Sequence, residues 1–280
     1  MEKLKIFFKS KIGRIIWGAL KLIISIPIFG ICVLIIYALF FSSLKTRFDL
    51  ASDPQGSYFS VFMLDYLIKT NPTEEKILWE SSVAYNKRGE IEEGMRRLNQ
   101  VLEMNPKDFL GYAGWIKQTR LKDYENSLKD FHRLDKLSNI VEYPWGENIY
   151  YLMGLSYQGL GNNDSANFYY DKFIDSEKNP ANIYPRVFTY KGKIETDKTN
   201  YSKALNFYNK TIALDKNIAE AYYYKAETFV EMNELDSAKL NYKLSLKLVK
   251  NGYKDQDSYN ERFLEIYKLE IEDKLRKLNQ

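Results

Sequence analysis

With one cysteine and one histidine in 280 residues, the chain has few of the side chains that covalent and metal chemistry need. Cys32 can form no disulfide within the chain, which leaves the redox state of its compartment unread. His132 has no nucleophile elbow or cysteine to complete a triad, and no His/Cys group has metal-ligand spacing. Gly159-Leu160-Gly161-Asn162-Asn163-Asp164 looks loosely like a phosphate loop but lacks the Lys-Ser/Thr ending. Carboxylates such as Glu92-Glu93, or Asp255 and Asp257, read as solvated faces and turns. These absences predict no catalytic residue, no metal, no cofactor and no small-molecule substrate.

Excess positive charge is also scarce once its location is known. The first 47 residues carry eight Lys or Arg and one acid, a net of +7 within a whole-chain +4, so the remainder stands at −3. The basic pI belongs to the N-terminal region, and no basic patch supports nucleic acid binding.

Leu22 to Phe41 is a run of twenty residues without a charge. At about 1.5 Å rise per residue such a helix covers roughly 30 Å, the hydrocarbon thickness of a bilayer. Pro27 is expected to kink it, and Lys21 to snorkel toward headgroups. The run exceeds a signal-peptide core and no small-residue cleavage site follows it, which points to an uncleaved anchor. Lys3, Lys5, Lys9, Lys11, Arg14 and Lys21 precede it, against Lys45 and Arg47 after it. That bias places residues 1–21 in the cytoplasm and everything beyond 41 on the other side, the periplasmic face of the inner membrane if the source is bacterial. Leu4 to Trp17 could also lie along the leaflet as a basic amphipathic helix, although setting topology is the simpler role.

The rest of the chain repeats. Ser60, Gly94, Ser127, Ala166, Ala204 and Ala238 are spaced 34, 33, 39, 38 and 34 residues apart. Each is followed four positions later by a large residue: Leu64, Leu98, Phe131, Tyr170, Tyr208 and Tyr242. Upstream lie further matches: Tyr150, Met153, Gly154 and Tyr157; Phe188 and Gly192; Tyr222, Ala226 and Phe229; Tyr85 and Gly89; Gly114 and Trp115. This small-x-x-x-aromatic pattern near a 34-residue period resembles the tetratricopeptide repeat, a helix–turn–helix unit. The resemblance implies an all-α, right-handed solenoid of about five hairpins, in which small residues let paired helices approach and aromatics fill the space between them.

The resulting layout is a basic N-terminus over 1–21, a transmembrane anchor over 22–41 and a short tether over 42–56. A solenoid over 57–250 follows, opening on a lone second helix at 57–72. Residues 251–280 supply a capping helix, expected from Tyr259 to Leu278 after Asn251-Gly252.

The resemblance further implies a concave face lined by each first helix. It assigns Lys76, Trp79, Val83 and Asn86 in the first block, and Tyr112 and Ile116 in the second. The third supplies Asn148, Tyr151, Leu155 and Gln158, the fourth Arg186, Thr189 and Lys193, and the fifth Glu220, Tyr223 and Glu227. Trp79, Tyr112, Tyr151 and Tyr223 recur at one site, either as an aromatic ladder gripping a peptide or as packing between repeats. Trp79 and Val83 stand where some relatives carry the Lys and Asn of a carboxylate clamp, which argues against one here. The longer spacings map to Glu142–Gly146 and Lys178–Asn182. The first of these offers Tyr143 and Trp145 as a second docking loop or as a staple tucked beneath it.

The function that follows is a non-enzymatic, membrane-anchored adaptor whose partners are other proteins, with the lipid bilayer contacted through 22–41. Its alternatives are a constitutive subunit of a membrane complex and an organelle receptor with cytosolic repeats.

Overall fold

The structure, a computed structural model, describes residues 11–280, and every regular element among them is helical. Lys3, Lys5, Lys9 and the stretch beginning at Leu4 lie outside the described residues, as do the side chains of Lys11 and Arg14. Two compact units divide the chain, Met1–Met104 and Asn105–Gln280.

The first unit contains α1 (Lys11–Phe40), α2 (Leu44–Ser52), α3 (Tyr58–Thr70), α4 (Glu75–Arg88) and α5 (Ile91–Met104). Within α1, Ile23–Phe40 is long and apolar enough to cross a membrane and stays outside the core. The helix runs through Pro27. Its last turn is different: Leu39 and Phe40 pack with Ala51, Leu64 and Leu67, and the Phe40 ring meets Tyr66 edge-on at 5.4 Å.

Residues 42–56, expected as a short tether, contain helix α2. Ser43 caps α2 by accepting the Thr46 amide at 3.2 Å, and Leu44, Phe48 and Ala51 turn one helical face into the core. Beyond it, the Gln55 side chain donates to Glu80 and accepts from Lys87, both on α4. The charged Lys45, Arg47, Asp49 and Asp53 disguise that stripe in the sequence. For the same reason α3 is not a lone second helix, since α2 packs in front of it.

Charge ties the remaining helices together. The Arg97 guanidinium on α5 reaches Asp65 of α3 at 2.6 Å and Glu93 at 2.7 Å, and it also donates to Ser81 of α4. The Tyr85 hydroxyl donates to the same Asp65 at 2.9 Å. Arg96, assisted by Arg97, holds the Glu93 carboxyl down to about 2. A carboxyl lowered from its ordinary 4.5 contributes stability that is full above 4.5 and lost as pH falls toward about 2. We therefore expect Glu93→Gln to flatten the fall in thermal stability of the chain across that interval. An unchanged acid profile in melts would contradict this.

The second unit holds four hairpins: α6 (Pro106–Thr119) with α7 (Tyr124–Leu137), α8 (Ile149–Gly159) with α9 (Asn163–Ser176), α10 (Arg186–Asp197) with α11 (Tyr201–Leu214), and α12 (Ala219–Glu231) with α13 (Leu235–Lys250). Helix α14 (Lys268–Lys277) follows. Asn105, Asp123 and Asn162 cap helix starts with their side chains, and Gly161 turns the second hairpin at φ 72°.

Three of these four hairpins close on a glycine facing a ring. A Cβ placed on Gly154 would stand 2.4 Å from the Tyr170 ring, one on Gly192 2.6 Å from Tyr208, and one on Gly114 2.5 Å from Phe131. Tyr170, Tyr208 and Phe131 are fully buried. The repeat pattern is thus a steric lock, and Gly154→Ala should cost about 1–3 kcal/mol by overpacking. A calorimetric melt that does not move would refute that geometry.

The capping helix is shorter than expected. Only Lys268–Lys277 is helical, while residues 253–267 follow an irregular path. Local polar bonds compete with the helix there: the Asp257 carboxylate accepts the amides of Tyr259 and Asn260 at 2.8 and 2.9 Å, and Glu265 accepts the Arg262 amide at 2.9 Å.

Candidate functional site

In the second unit the first helices of successive hairpins, α6, α8, α10 and α12, lie side by side as an inner layer. Side chains near their C-terminal ends join them. Gln118 donates to the Leu152 carbonyl at 2.6 Å and to Ser156 Oγ at 2.7 Å, and Gln158 to the Tyr190 carbonyl at 3.3 Å. Thr196 and Thr228 share a hydrogen bond at 2.7 Å.

Aromatic side chains fill this layer. Tyr151 lies among Tyr184 at 5.0 Å, Phe173 at 5.5 Å and Tyr190 at 6.1 Å, and is 5% exposed. Desolvation holds its hydroxyl well above the usual tyrosine range.

The open face expected over this layer is covered by the chain's own residues 253–267. Arg120 donates to the Tyr259 carbonyl at 2.8 Å and Lys122 to the Glu261 carbonyl at 2.6 Å, each across 139 positions of sequence. The Phe263 ring stands edge-on to Tyr190 at 5.6 Å and to Tyr124 at 6.5 Å. The Tyr224 hydroxyl donates to the Leu264 carbonyl at 3.0 Å, and Glu220 accepts the Asp255 amide at 2.8 Å. Ile266 ends the segment fully buried against the α12–α13 hairpin. Leu264 is held at φ 55°, a left-handed conformation that costs a non-glycine residue about 1–2 kcal/mol.

Beneath the segment lies a cavity of about 340 Å³, lined among others by Gln118, Glu147, Tyr151, Arg186, Arg262 and Phe263. Burial raises the carboxyls of Glu147 and Glu220, with Arg262 and Arg186 respectively pulling the other way. Arg186 and Arg262 both approach Asp255, at 3.5 and 3.6 Å.

The residues expected to line a concave groove therefore have mixed fates. Tyr223 gives its hydroxyl to Glu270 of α14, and Glu227 pairs with Lys274 at 2.9 Å. Lys193 pairs with Asp197 on its own helix. Leu155 and Ile116 are buried. Asn148 is a structural cap: it accepts the Tyr150 amide at 2.9 Å and donates to Ser176 and Glu177. In the first unit Val83 and Asn86 are buried, Trp79 is half-buried, and Asn86 faces Gly94 inside the α4–α5 hairpin.

The Tyr143–Trp145 loop combines its two readings. Pro144 is buried against Gly111, while Tyr143 donates to Glu177 at 3.1 Å. Trp145, at φ 53°, stacks on Trp115 at 5.3 Å and leans on Tyr112 at 5.0 Å, yet remains 49% exposed.

His132 shares a hydrogen bond with the Tyr157 hydroxyl at 2.9 Å and meets the stacked rings of Tyr157 and Tyr169 edge-on. Burial keeps its pKa below the usual histidine value. Among the described residues no group of three or more His, Cys, Asp or Glu could hold a metal ion.

Lys122, Tyr124, Tyr190 and Tyr224 were not anticipated. Their signal exists only in the pairing with 253–267, far away in sequence.

Successive helix hairpins, three of them locked by a glycine on a ring, present an aligned inner layer and define a protein-interaction scaffold of the α-solenoid class. Residues 147–180 match the tetratricopeptide repeat family, and the chain is a tetratricopeptide-repeat protein. It is 24% identical over 172 residues to anaphase-promoting complex subunit 3 of Schizosaccharomyces pombe, covering 61% of this chain and only 24% of that one. The chain thus spans about a quarter of that relative's length.

Two solved structures are similar in fold. The type IV pilus biogenesis factor PilW is 14% identical with a TM-score of 0.56, covering 70% of this chain and 86% of that one. The C-terminal part of a repeat-containing protein of Cytophaga hutchinsonii is 16% identical with a TM-score of 0.54, covering 73% and 79%.

The burial of Tyr151 decides how it fails when cut. Tyr151→Ala should destabilise the chain by about 3–5 kcal/mol, as large-to-small core changes do. An unaltered melt would return Tyr151 to the open-groove reading.

Proposed function

We propose that this chain is a membrane-anchored scaffold that recruits protein partners at the extracytoplasmic face, with α1 as the anchor and the inner layer of the second unit as the partner-binding surface. The observation that carries the anchor is α1 itself. From Ile23 to Tyr37 the helix stays outside the core, so that large apolar side chains such as Phe29 and Leu34 stay exposed. Aqueous exposure of a run this long is costly, at roughly 25 cal/mol per Å² of apolar surface, and a bilayer removes that cost. Orientation rests on the basic residues before the span.

The binding surface is supported by the inner layer's chemistry. Arg120, Lys122, Glu220 and Tyr224 direct polar groups at a non-helical main chain, and Tyr124 and Tyr190 form a slot for a ring. Proteins similar in sequence or fold serve settings as different as the anaphase-promoting complex and type IV pilus biogenesis, so the assembly served here is read from this chain's own anchor and surface.

Topology is tested with protease on sealed, right-side-out membranes: residues 48–280 should be digested without lysis. Protection until lysis would place the repeats in the cytosol. Crosslinking and capture from the same membranes should recover a protein partner, and substituting Lys122 and Tyr190 together should abolish that capture.

A further inference from the structure

We propose that residues 253–267 are a built-in ligand of the second unit's inner layer, and that this layer recognises an irregular, non-helical segment with an aromatic residue flanked by acids. The inference rests on, and sharpens, the reading of that layer as the partner-binding surface. The partner it fits is a peptide of the segment's own chemistry: an acid, an irregular stretch, then a phenylalanine eight positions on with acids close to it, as Asp255, Glu261, Phe263 and Glu265 are arranged here.

The pattern of contacts is that of recognition. Four of the bonds that seat the segment use its main chain: the Tyr259, Glu261 and Leu264 carbonyls and the Asp255 amide. Groups that read main chain accept many sequences that adopt the same path, which is how a surface binds a peptide. Specificity comes from one ring slot, between Tyr124 and Tyr190, and from cations facing acids. Arg186 faces Asp255, and Lys122 lies near Glu261 and Glu265.

The fit is also incomplete. The cavity of about 340 Å³ lies between segment and layer. At its borders Gln118 Oε1 and Asn260 Oδ1 are buried without a hydrogen-bond partner. Asp255 is shared at long range between two arginines, and Leu264 is strained. Buried polar groups left unpaired weaken a contact and favour exchange for a ligand that pairs them. The segment is tied at both ends, by α13 and α14, so it competes at high effective concentration while making modest contacts.

The test uses the full chain in lipid nanodiscs and a fluorescent peptide with the sequence of residues 253–267. The wild-type chain should bind it weakly, because the site is filled. Phe263→Ala, which empties the ring slot, should bind it at least tenfold more tightly. A peptide with alanine in place of its phenylalanine should not bind, and Lys122→Ala in the Phe263→Ala background should weaken binding.

Equal binding by wild type and Phe263→Ala, or none by either with hairpins intact by circular dichroism, overturns the proposal. Should Phe263→Ala fail to fold, hydrogen exchange of the wild type decides. Amides of 253–267 that open before those of α8–α12 support the proposal, and amides that open only with global unfolding defeat it. Peptide binding without any partner captured from membranes would remove the scaffold reading alone. Partner capture without peptide binding would remove this inference alone.

Discussion

Everything in the second unit depends on how closely two helices of one hairpin approach. Gly114, Gly154 and Gly192 leave no room for a methyl group beside Phe131, Tyr170 and Tyr208. Each ring occupies the space a side chain on the facing helix would have taken, so helix separation and ring burial are one constraint. Because the lock is local to a hairpin, the hairpins can be laid down one after another with little change in sequence. This gives the chain its period near 34 residues.

Hairpin joins hairpin through rings such as Tyr151 on Tyr190 and through polar bonds. Gln118 bonds to α8, Gln158 to Tyr190 and Thr196 to Thr228, all near the C-terminal ends of first helices. The Tyr170 hydroxyl donates to Gln158 at 2.7 Å, and Tyr208 meets Thr196 at 3.0 Å, so a lock within one hairpin also orients the bond to the next. Such hydrogen bonds contribute modestly one by one, but leaving a buried partner unpaired is expensive, and this fixes the register between hairpins.

The repeat was legible because its physics is short-range: a small residue and a ring at fixed spacing suffice to state the hairpin. The long helix α1 was equally plain, since it takes only uninterrupted apolar residues. Two assignments failed for opposite reasons. Helix α2 was hidden by the charges around Leu44, Phe48 and Ala51, which mask a narrow buried stripe. The final helix was overextended because Phe263 and Ile266 hold a helical spacing, while Asp257 and Glu265 bend the backbone and Leu264 adopts a left-handed turn. The site was the least legible part. No periodicity tells Arg120 or Lys122 that it will meet a carbonyl 139 residues later.

That long separation also sets an order of events as the chain is made. The four hairpins through Lys250 are complete in sequence before Phe263 is added, and their contacts are local, whereas the segment must close a loop spanning most of the unit. Local hairpins form quickly and distant closures late. A newly synthesised chain therefore passes through an interval in which the Tyr124–Tyr190 slot is built and still open. The first competitor for that slot is whatever stands nearby while translation finishes.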